Sequence, residues 1–459
     1  MQFETLFRPA REKPVSVALI GAGEFGLSLI AQSRRMEGLV VKAVADKDLD
    51  RVAASLQAMG VAARRCDSRE AAEAALAAGE IAMCSSVADL LALPLDMVVE
   101  ATGDAEYGAR HALAAIEAGR GVTMVTKEAE CVVGPLLAAK ARAAGVAYTL
   151  VEGDQPALLI GLVSWARTLG LPVICAGKSS EYDYVYDPSS HDVTWTSERV
   201  TAPEIAGLWA LGDDRAATIQ ARSAALAALP QRTVPDYCEM ALVANATGLV
   251  PDKPDFHTPM TRAVELPDLY IPKADGGLLE GEGRIDVFNC LRRPDESSFA
   301  GGVFVVVGWA DARSGALFRG KGIPTTADGK YGLVYNPSHL LGVEAPISIL
   351  AAARLGQSII DERYRPVVDL TARAMRDLPA GHKLEIVGTR HAVPDLEPVL
   401  TPAVAVTGSA PLPYYMAVGR TLTRPVAAGS FIAADAVDAP AGSTLWQLRA
   451  EQDAMFANR

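Results

Sequence analysis

The chain of 459 residues lacks any apolar stretch long enough to span a bilayer; its longest candidates, such as residues 301–310, are strand-sized. Its first residues, MQFETLFRPAREKP, do not have the charged-then-apolar order of a signal peptide. It has no basic run, and its net charge is −12, so little is available to neutralise the phosphates of a nucleic acid. Six cysteines (Cys66, Cys84, Cys131, Cys175, Cys238 and Cys290) form no CxxC pair, which argues against both a zinc site and a disulfide framework. These absences lead to the expectation of a cytoplasmic protein that handles a small molecule, with no nucleic-acid or membrane partner. A hydrophobic content of 50% with 21% charged residues is globular, and the length suits two or three domains.

What is present begins at Val15. Val15, Val17, Leu19 and Ile20 make an apolar run of strand length, and Gly21-Ala22-Gly23-Glu24-Phe25-Gly26 follows without a break. Leu27, Leu29, Ile30 and Met36 then supply a helical apolar face, and residues 39–44 form a second buried strand ending at Asp46. In such a unit Gly21 makes the tight turn, Gly23 admits a pyrophosphate close to the backbone, and Gly26 lets the helix pack on the sheet. Glu24 and Phe25 lie in the same turn, where the helix N-terminus turns its free N–H groups toward phosphate. Asp46 falls about 20 residues beyond the last glycine, the distance at which a carboxylate accepts the adenosine ribose hydroxyls. This expects NAD or NADP as cofactor. The carboxylate favours NAD, and Lys47 and Arg51 partly offset it. The competing reading is a structural strand-turn-helix unit.

Alternation of strands and helices continues to residue 151, the doubly wound pattern of a parallel sheet. Residues 95–100 are a strand ended by Ala101-Thr102-Gly103, and residues 122–125 a strand ended by Thr126-Lys127-Glu128. Carboxyl ends of parallel strands face the ligand crevice, which puts Thr102, Gly103, Thr126, Lys127 and Glu128 by the cofactor. Residues 135–144 read as a helix opened by Pro135. Residues 179–214, rich in Tyr, Asp, Ser and Pro, show no clear periodicity and are long for a plain loop, so they are a lid or conceal further elements. From Pro366 onward, residues 372–384 and 418–437 share a strand-turn-strand pattern, and residues 443–456 read as a capped terminal helix. The expected fold class is α/β. A Rossmann domain occupies residues 1–155, a central α+β substrate and oligomerisation domain residues 156–365, and a small β-rich domain residues 366–459.

These residues carry a family resemblance. The N-terminal half resembles homoserine dehydrogenase through its Rossmann start, its ATG turn, its VTKEAE strand end and a later Glu-Gly-Asp turn. A fuller match is to the 1-deoxy-D-xylulose 5-phosphate reductoisomerase-like oxidoreductases, which add a C-terminal SAF domain. It runs through LIGAGEFG (19–26), EATG (100–103), EAECVVGPLL (128–137), GDQP (153–156), AGK (176–178), EMALVANATGLVPD (239–252), GG (276–277), GVFVVV (302–307), HLLGVEAP (339–346) and RDLPAG (376–381). The resemblance implies an NAD(P)-dependent oxidoreductase acting on a small polyhydroxylated, phosphorylated substrate, a SAF-like C-terminal unit, and a homo-oligomer. The family's strand end carries Ser or Arg where this chain has Asp46, a departure that bears on both cofactor and substrate. A plain dehydrogenase of a hydroxy acid or polyol, and a non-catalytic NAD-binding regulatory protein, are the alternatives.

Hydride transfer needs a proton donor or acceptor on the reacting oxygen, and a carbon shift also needs a group, often a divalent metal, that holds two vicinal oxygens. Lys178 is the first candidate to polarise that oxygen, against a surface lysine. Asp154 reads as an acid/base or metal-side carboxylate, or as a helix N-cap. Glu239 lies on an otherwise apolar helix, where an unpaired carboxylate is costly. Asn245 and His339 complete the candidate catalytic set, each with a capping role as its alternative. Lys330, Arg284 and Lys321 are candidates to bind a substrate phosphate or carboxylate.

Overall fold

Apolar Val15, Val17, Leu19 and Ile20 form β1 (Val15–Ile20), whose six residues are all buried. A computed structural model describes residues 2–388 and 391–457. Six further strands join β1: β2 (Leu39–Ala45), β3 (Ala63–Cys66), β4 (Ile81–Cys84), β5 (Met97–Glu100), β6 (Gly121–Met124) and β7 (Tyr148–Leu150). They pair in the order β3-β4-β2-β1-β5-β6-β7, every ladder parallel. Sheet order reverses at β1, so the crevice lies beyond the carboxyl ends of β1 and β5, as the doubly wound reading requires.

Among the elements that depart from expectation here, two bear on the site. The four-residue strand β4 is too short to show a period and went unpredicted. The helix expected at residues 135–144 instead spans Lys127–Ala144, with Pro135 in its interior. A proline in mid-helix removes one N–H and clashes with the preceding turn. Beside it, the Gln452 amide takes the place of a helical bond: Leu136 N–H donates to Gln452 Oε1 (3.1 Å), and Gln452 Nε2 donates to the Val132 carbonyl (2.8 Å). Thus Lys127 and Glu128 form the first turn of a long helix.

The second sheet is mixed. Its spine is β8 (Val173–Asp187), flanked by β9 (Asp192–Trp195) and β10 (Glu198–Thr201). The short β11 (Val250–Pro251) and β12 (Met260–Thr261) lie on β13 (Arg284–Arg292), while β14 (Val303–Gly308) and β15 (Tyr331–Asn336) pair along the other edge. The stretch read as a lid or concealed elements is the second of these: β8 runs fifteen residues and continues into a hairpin. Tyr182, Tyr184 and Tyr186 alternate on one buried face of β8, the period of a strand hidden by their hydroxyls. Helix Val234–Thr247 lies against helix Lys127–Ala144 and against β8 and β13, and is buried along nearly its full length.

The domain boundaries drawn from sequence are crossed by the chain itself. Ala345, Ile349, Leu350 and Ala352 pack with Val15, Leu19, Leu29 and Leu39, so the segment after the second sheet returns to the nucleotide unit. β16 (Val368–Ala374) and β17 (Leu396–Pro402) form an antiparallel pair. The two half-repeats bond to each other, with Leu378 and Val426 exchanging both backbone hydrogen bonds. The terminal helix Thr444–Phe456 is capped by Ser443, as expected, but docks on the nucleotide domain: Glu106 accepts from Ser443 Oγ and from the N–H groups of Thr444 and Leu445.

Candidate functional site

At the first turn each glycine has a measurable geometry. Gly21 has φ +91°, and a Cβ there would lie 2.5 Å from the Ala101 carbonyl oxygen. A Cβ on Gly26 would meet Gly21 O at 2.6 Å, whereas a Cβ on Gly23 would meet nothing within 4 Å. Gly23 therefore faces open space at the start of helix Glu24–Ser33, whose first N–H groups have no side-chain cap. Glu24 is exposed and Phe25 half-buried in the same turn. An approachable backbone with uncapped donors fits a pyrophosphate. Asp46 stands at the end of β2, but its carboxylate is engaged: Oδ2 accepts from Ala22 N–H (2.7 Å) and from Arg51 Nη2 (3.2 Å), and Oδ1 from Asp48 N–H (2.9 Å). Arg51 also donates to the Ala22 carbonyl (3.0 Å), tying this pair to the loop; among the described residues Lys47 makes no such bond.

Across the crevice, Thr102 Oγ1 donates to Glu100 Oε1 (2.6 Å), and Gly103 N–H donates to Thr126 Oγ1 (3.0 Å). These bonds fix the ends of β5 and β6 to each other. Thr126 precedes Lys127, whose Nζ lies 2.7 Å from Glu239 Oε1 and 3.0 Å from Asp154 Oδ2. Lys178, on β8, reaches the same carboxylate from behind: its Nζ is 2.8 Å from Asp236 Oδ1 and bonds Glu239 Oε2. Ser180 Oγ donates to Asp236 Oδ2 (2.6 Å). Five charged groups from three elements and the turn before helix Gln155–Thr168 thus form one chain, Asp154–Lys127–Glu239–Lys178–Asp236.

Electrostatics follow from that chain. Burial opposes the Glu239 charge, yet Lys127 and Lys178 pull its pKa down to about 2. Burial likewise opposes the charges of Lys127 and Lys178, but their carboxylate partners outweigh it and raise both above the ordinary lysine value. Asp236 is raised by burial, which Lys178 only partly offsets. Two lysines face three carboxylates, so the cluster carries surplus negative charge. Burial lifts Glu128, beside Lys127, to about 7. His391, from the C-terminal unit, places Nδ1 3.5 Å from Glu128 Oε1, and burial and then Lys127 hold its pKa below the ordinary histidine value.

The two lysines differ in accessibility. The Lys178 side chain is 1% exposed and sealed by its carboxylates, while that of Lys127 is 26% exposed and stands at the mouth. Of the two lysines that share Glu239, Lys127 is the one reachable from solvent. Asp154 caps helix Gln155–Thr168, its Oδ1 accepting from Gln155 N–H (2.9 Å), while its carboxylate also pairs with Lys127. Asn245 is a correction: its side-chain oxygen accepts from Val367 and Val368 N–H (2.7 and 2.9 Å), tying the C-terminal unit to the helix, away from the cluster. His339 is another, with Nδ1 2.9 Å from the Gly301 carbonyl at a loop contact. Lys330 pairs with Asp275 and Arg284 with Asp252, so neither is a free anion-binding cation. Lys321 is exposed and lies outside the cluster.

Sequence reading passed over Asp236, Ser180 and His391. Asp236 precedes Glu239 by three residues on one helix, and Ser180 follows Lys178 by two on one strand; both spacings put the pairs on a common face and are legible. His391 lies in an irregular segment with no periodic signal. Among the described residues no group of three or more His, Cys, Asp or Glu side chains is arranged to hold a metal ion. Asp154 pairs with Lys127, and Glu239 with Lys127 and Lys178.

No curated protein matches the chain. Solved structures with partial likeness include an oxidoreductase from Agrobacterium radiobacter in complex with NAD+, L-tartaric acid and magnesium. It is 15% identical over 37% of this chain and 46% of that one, with a TM-score of 0.27. A probable dehydrogenase from Thermotoga maritima is 11% identical over 75% of this chain and 90% of that one, at TM-score 0.36. The WlbA dehydrogenase from Bordetella pertussis, in complex with NADH and UDP-GlcNAcA, is 19% identical over 39% of this chain and 49% of that one, at 0.26. The chain thus spans under half the length of the first and third of these. Residues 153–345 match the family model described as oxidoreductase DRL, catalytic domain, which classes this segment as an oxidoreductase catalytic domain.

Proposed function

We propose that the chain is an NAD(P)-dependent oxidoreductase of a small, polyhydroxylated and anionic substrate, with Lys127 at the reacting oxygen. The observation that carries this reading is the position of Lys127: one residue beyond the Thr126 that bonds the β5 end, partly exposed, and held by Asp154 and Glu239. Gly21, Gly23 and Gly26 with the uncapped helix would hold the cofactor, Thr102 and Gly103 would flank it, and when bound it accepts or donates the hydride. Lys127 then donates hydrogen bonds to the substrate oxygen and stabilises negative charge developing there. Its raised pKa keeps it protonated, so it acts as a fixed cation. Glu128, titrating near 7 at the same turn, is suited to exchange a proton near neutral pH. Glu239 keeps Lys127 in place, and Lys178 and Asp236 keep Glu239 in place.

The narrower reading, a reductoisomerase resembling those acting on 1-deoxy-D-xylulose 5-phosphate, with a SAF-like C-terminal unit, rests on the motifs alone. No metal-assisted step is derived for it, because the carboxylates at the centre are paired with lysines. Incubation with 1-deoxy-D-xylulose 5-phosphate and NADPH separates the cases. A reduced and rearranged product establishes the reductoisomerase, whereas turnover confined to hydroxy acids or polyols establishes a plain dehydrogenase. Cofactor binding without turnover on either panel overturns the enzymatic reading in favour of a regulatory NAD-binding protein. Six free, buried cysteines support a reducing, cytoplasmic setting. A homo-oligomer is the assembly we expect, and light scattering tests it.

A further inference from the structure

Just beyond Lys178, strand β8 loses its register with β13. Ser179 pairs with Phe288 and Asp183 with Cys290, so residues 180–182 face Asn289 alone and form a bulge. On the other edge, β14 accompanies β8 only as far as Lys178, which pairs with Val303. One more backbone bond follows, from Ser179 N–H to the Gly302 carbonyl (3.0 Å). From there until β9 joins at Val185, this edge carries no ladder among the described residues. A bulge re-aims the side chains it carries and is common beside active sites, and an edge without a neighbour leaves them room.

Glu181 is the charged residue of that bulge. It is exposed, and among the described residues it makes no hydrogen bond or ion pair. Its neighbour Ser180 bonds Asp236 at 2.6 Å, and Lys178 bonds both Asp236 and Glu239. Burial lifts the Glu181 carboxyl above the ordinary glutamate value, and the charges that act on it next are, in order, Asp236, Lys178, Glu239 and Lys127. The side chain therefore lies beside the charged chain that runs from Asp236 to Lys127. A carboxylate that reaches solvent and is still partly desolvated occupies an open recess, not a plain solvated face.

We propose that Glu181 is a substrate-binding residue, accepting hydrogen bonds from the hydroxyl groups that neighbour the oxygen held by Lys127. This deepens the oxidoreductase reading and rests on it. An ionised carboxylate offers two acceptor oxygens and no donor, which suits a pair of adjacent hydroxyls, and a charged acceptor bonds them more strongly than a neutral one. Glu181 also adds to the surplus negative charge of the chain, so an anionic end of the substrate points away from this recess. Selection of hydroxylated over deoxy substrates then comes from β8 itself.

The test titrates the NADH-loaded protein with erythritol, 1,4-butanediol and 1,4-diaminobutane, following reduced-nicotinamide fluorescence with calorimetry in parallel. Erythritol is expected to bind at least about tenfold more tightly than 1,4-butanediol, which lacks the inner hydroxyls. Glu181→Ala should weaken erythritol about tenfold while leaving 1,4-butanediol within about twofold. NADH affinity should hold and Tm should not fall, because the side chain has no partner to lose. Erythritol that binds no tighter than 1,4-butanediol, or that binds Glu181→Ala as it binds the native chain, overturns the assignment. So does a variant that loses Tm and all probes together, which marks a structural residue. Tighter binding of 1,4-diaminobutane than of erythritol overturns hydroxyl recognition in favour of an ammonium group. NADH affinity is read on loading, so a failure of cofactor binding, which would sink the oxidoreductase reading, is distinguishable from failure at Glu181.

Discussion

Lys127 and Lys178 share one carboxylate, but only the Lys127 side chain is partly exposed, and substitution should tell them apart. Lys127→Ala is expected to lower kcat by about a hundredfold or more, roughly 2.7 kcal/mol of barrier, with cofactor affinity nearly unchanged. Lys178→Met leaves Glu239 and Asp236 buried without that partner, so it is expected to lower the unfolding midpoint as well as the rate. If the two variants lose rate and stability alike, the division of roles is wrong. At the glycine turn, Gly23→Val places a branched side chain where the Cβ now meets nothing. It is expected to abolish cofactor binding with the fold retained by circular dichroism, and a normal NAD titration would refute the site. Asp46 and Arg51 are expected to act on the cofactor's 2′ position with opposite signs. Arg51→Ala should raise the NAD over NADP ratio of kcat/KM and Asp46→Ser should lower it, each by about tenfold; ratios unmoved by either change would remove this pair from cofactor choice.

Among the elements, the long helix Lys127–Ala144 depends on a partner far away in sequence. Gln452 satisfies Val132 and Leu136 next to Pro135, so Gln452→Leu is expected to destabilise the protein by about 2–4 kcal/mol in a urea titration. A midpoint unchanged from native would mean the helix tolerates Pro135 unaided. Within the same helix, Glu130 is buried against the hydroxyls of Tyr148 and Tyr364, and burial lifts its pKa to about 7. The folded state therefore holds this proton more tightly than the unfolded chain. Its contribution is fully present below the ordinary glutamate value and is lost as pH rises through about 7. Glu130→Gln should flatten the fall of Tm over that window; an unaltered slope would assign the dependence to Glu128 and Glu152, which are shifted the same way. The nucleotide-binding strands and glycine turn were legible because local period and turn chemistry coincide there. The start of this helix was not, because Pro135 mimics a first-turn proline and its compensation comes from Gln452. β8 was obscured for a related reason: its buried face is built of tyrosines, which a hydrophobic count passes over.

For the whole molecule, the C-terminal unit is held to the rest by the terminal helix. Arg449 forms a buried two-point pair with Asp369 (2.6 and 2.7 Å), and Glu106 caps the helix from the nucleotide domain. Arg449→Met strands a buried carboxylate and should cost about 3–5 kcal/mol, lowering Tm. Because His391 reaches Glu128 from this unit, a chain ending at Tyr364 should be inactive even where it stays soluble. Lys127, Asp154 and Glu239 could each be picked out from strand ends and helix caps, but their assembly is tertiary: 112 positions separate Lys127 from Glu239. His391 joins them only through packing of the third unit. The Lys127–Glu239 pair is proposed to work on a substrate beside a bound nicotinamide. It is tested most directly by following reduced-nicotinamide absorbance while native protein and Lys127→Ala are offered polyol phosphates and hydroxy acids with NAD and NADP. Turnover of at least one substrate by the native chain is expected, with loss of about a hundredfold or more in the variant at unchanged cofactor affinity. A variant that turns over as the native chain does would contradict it.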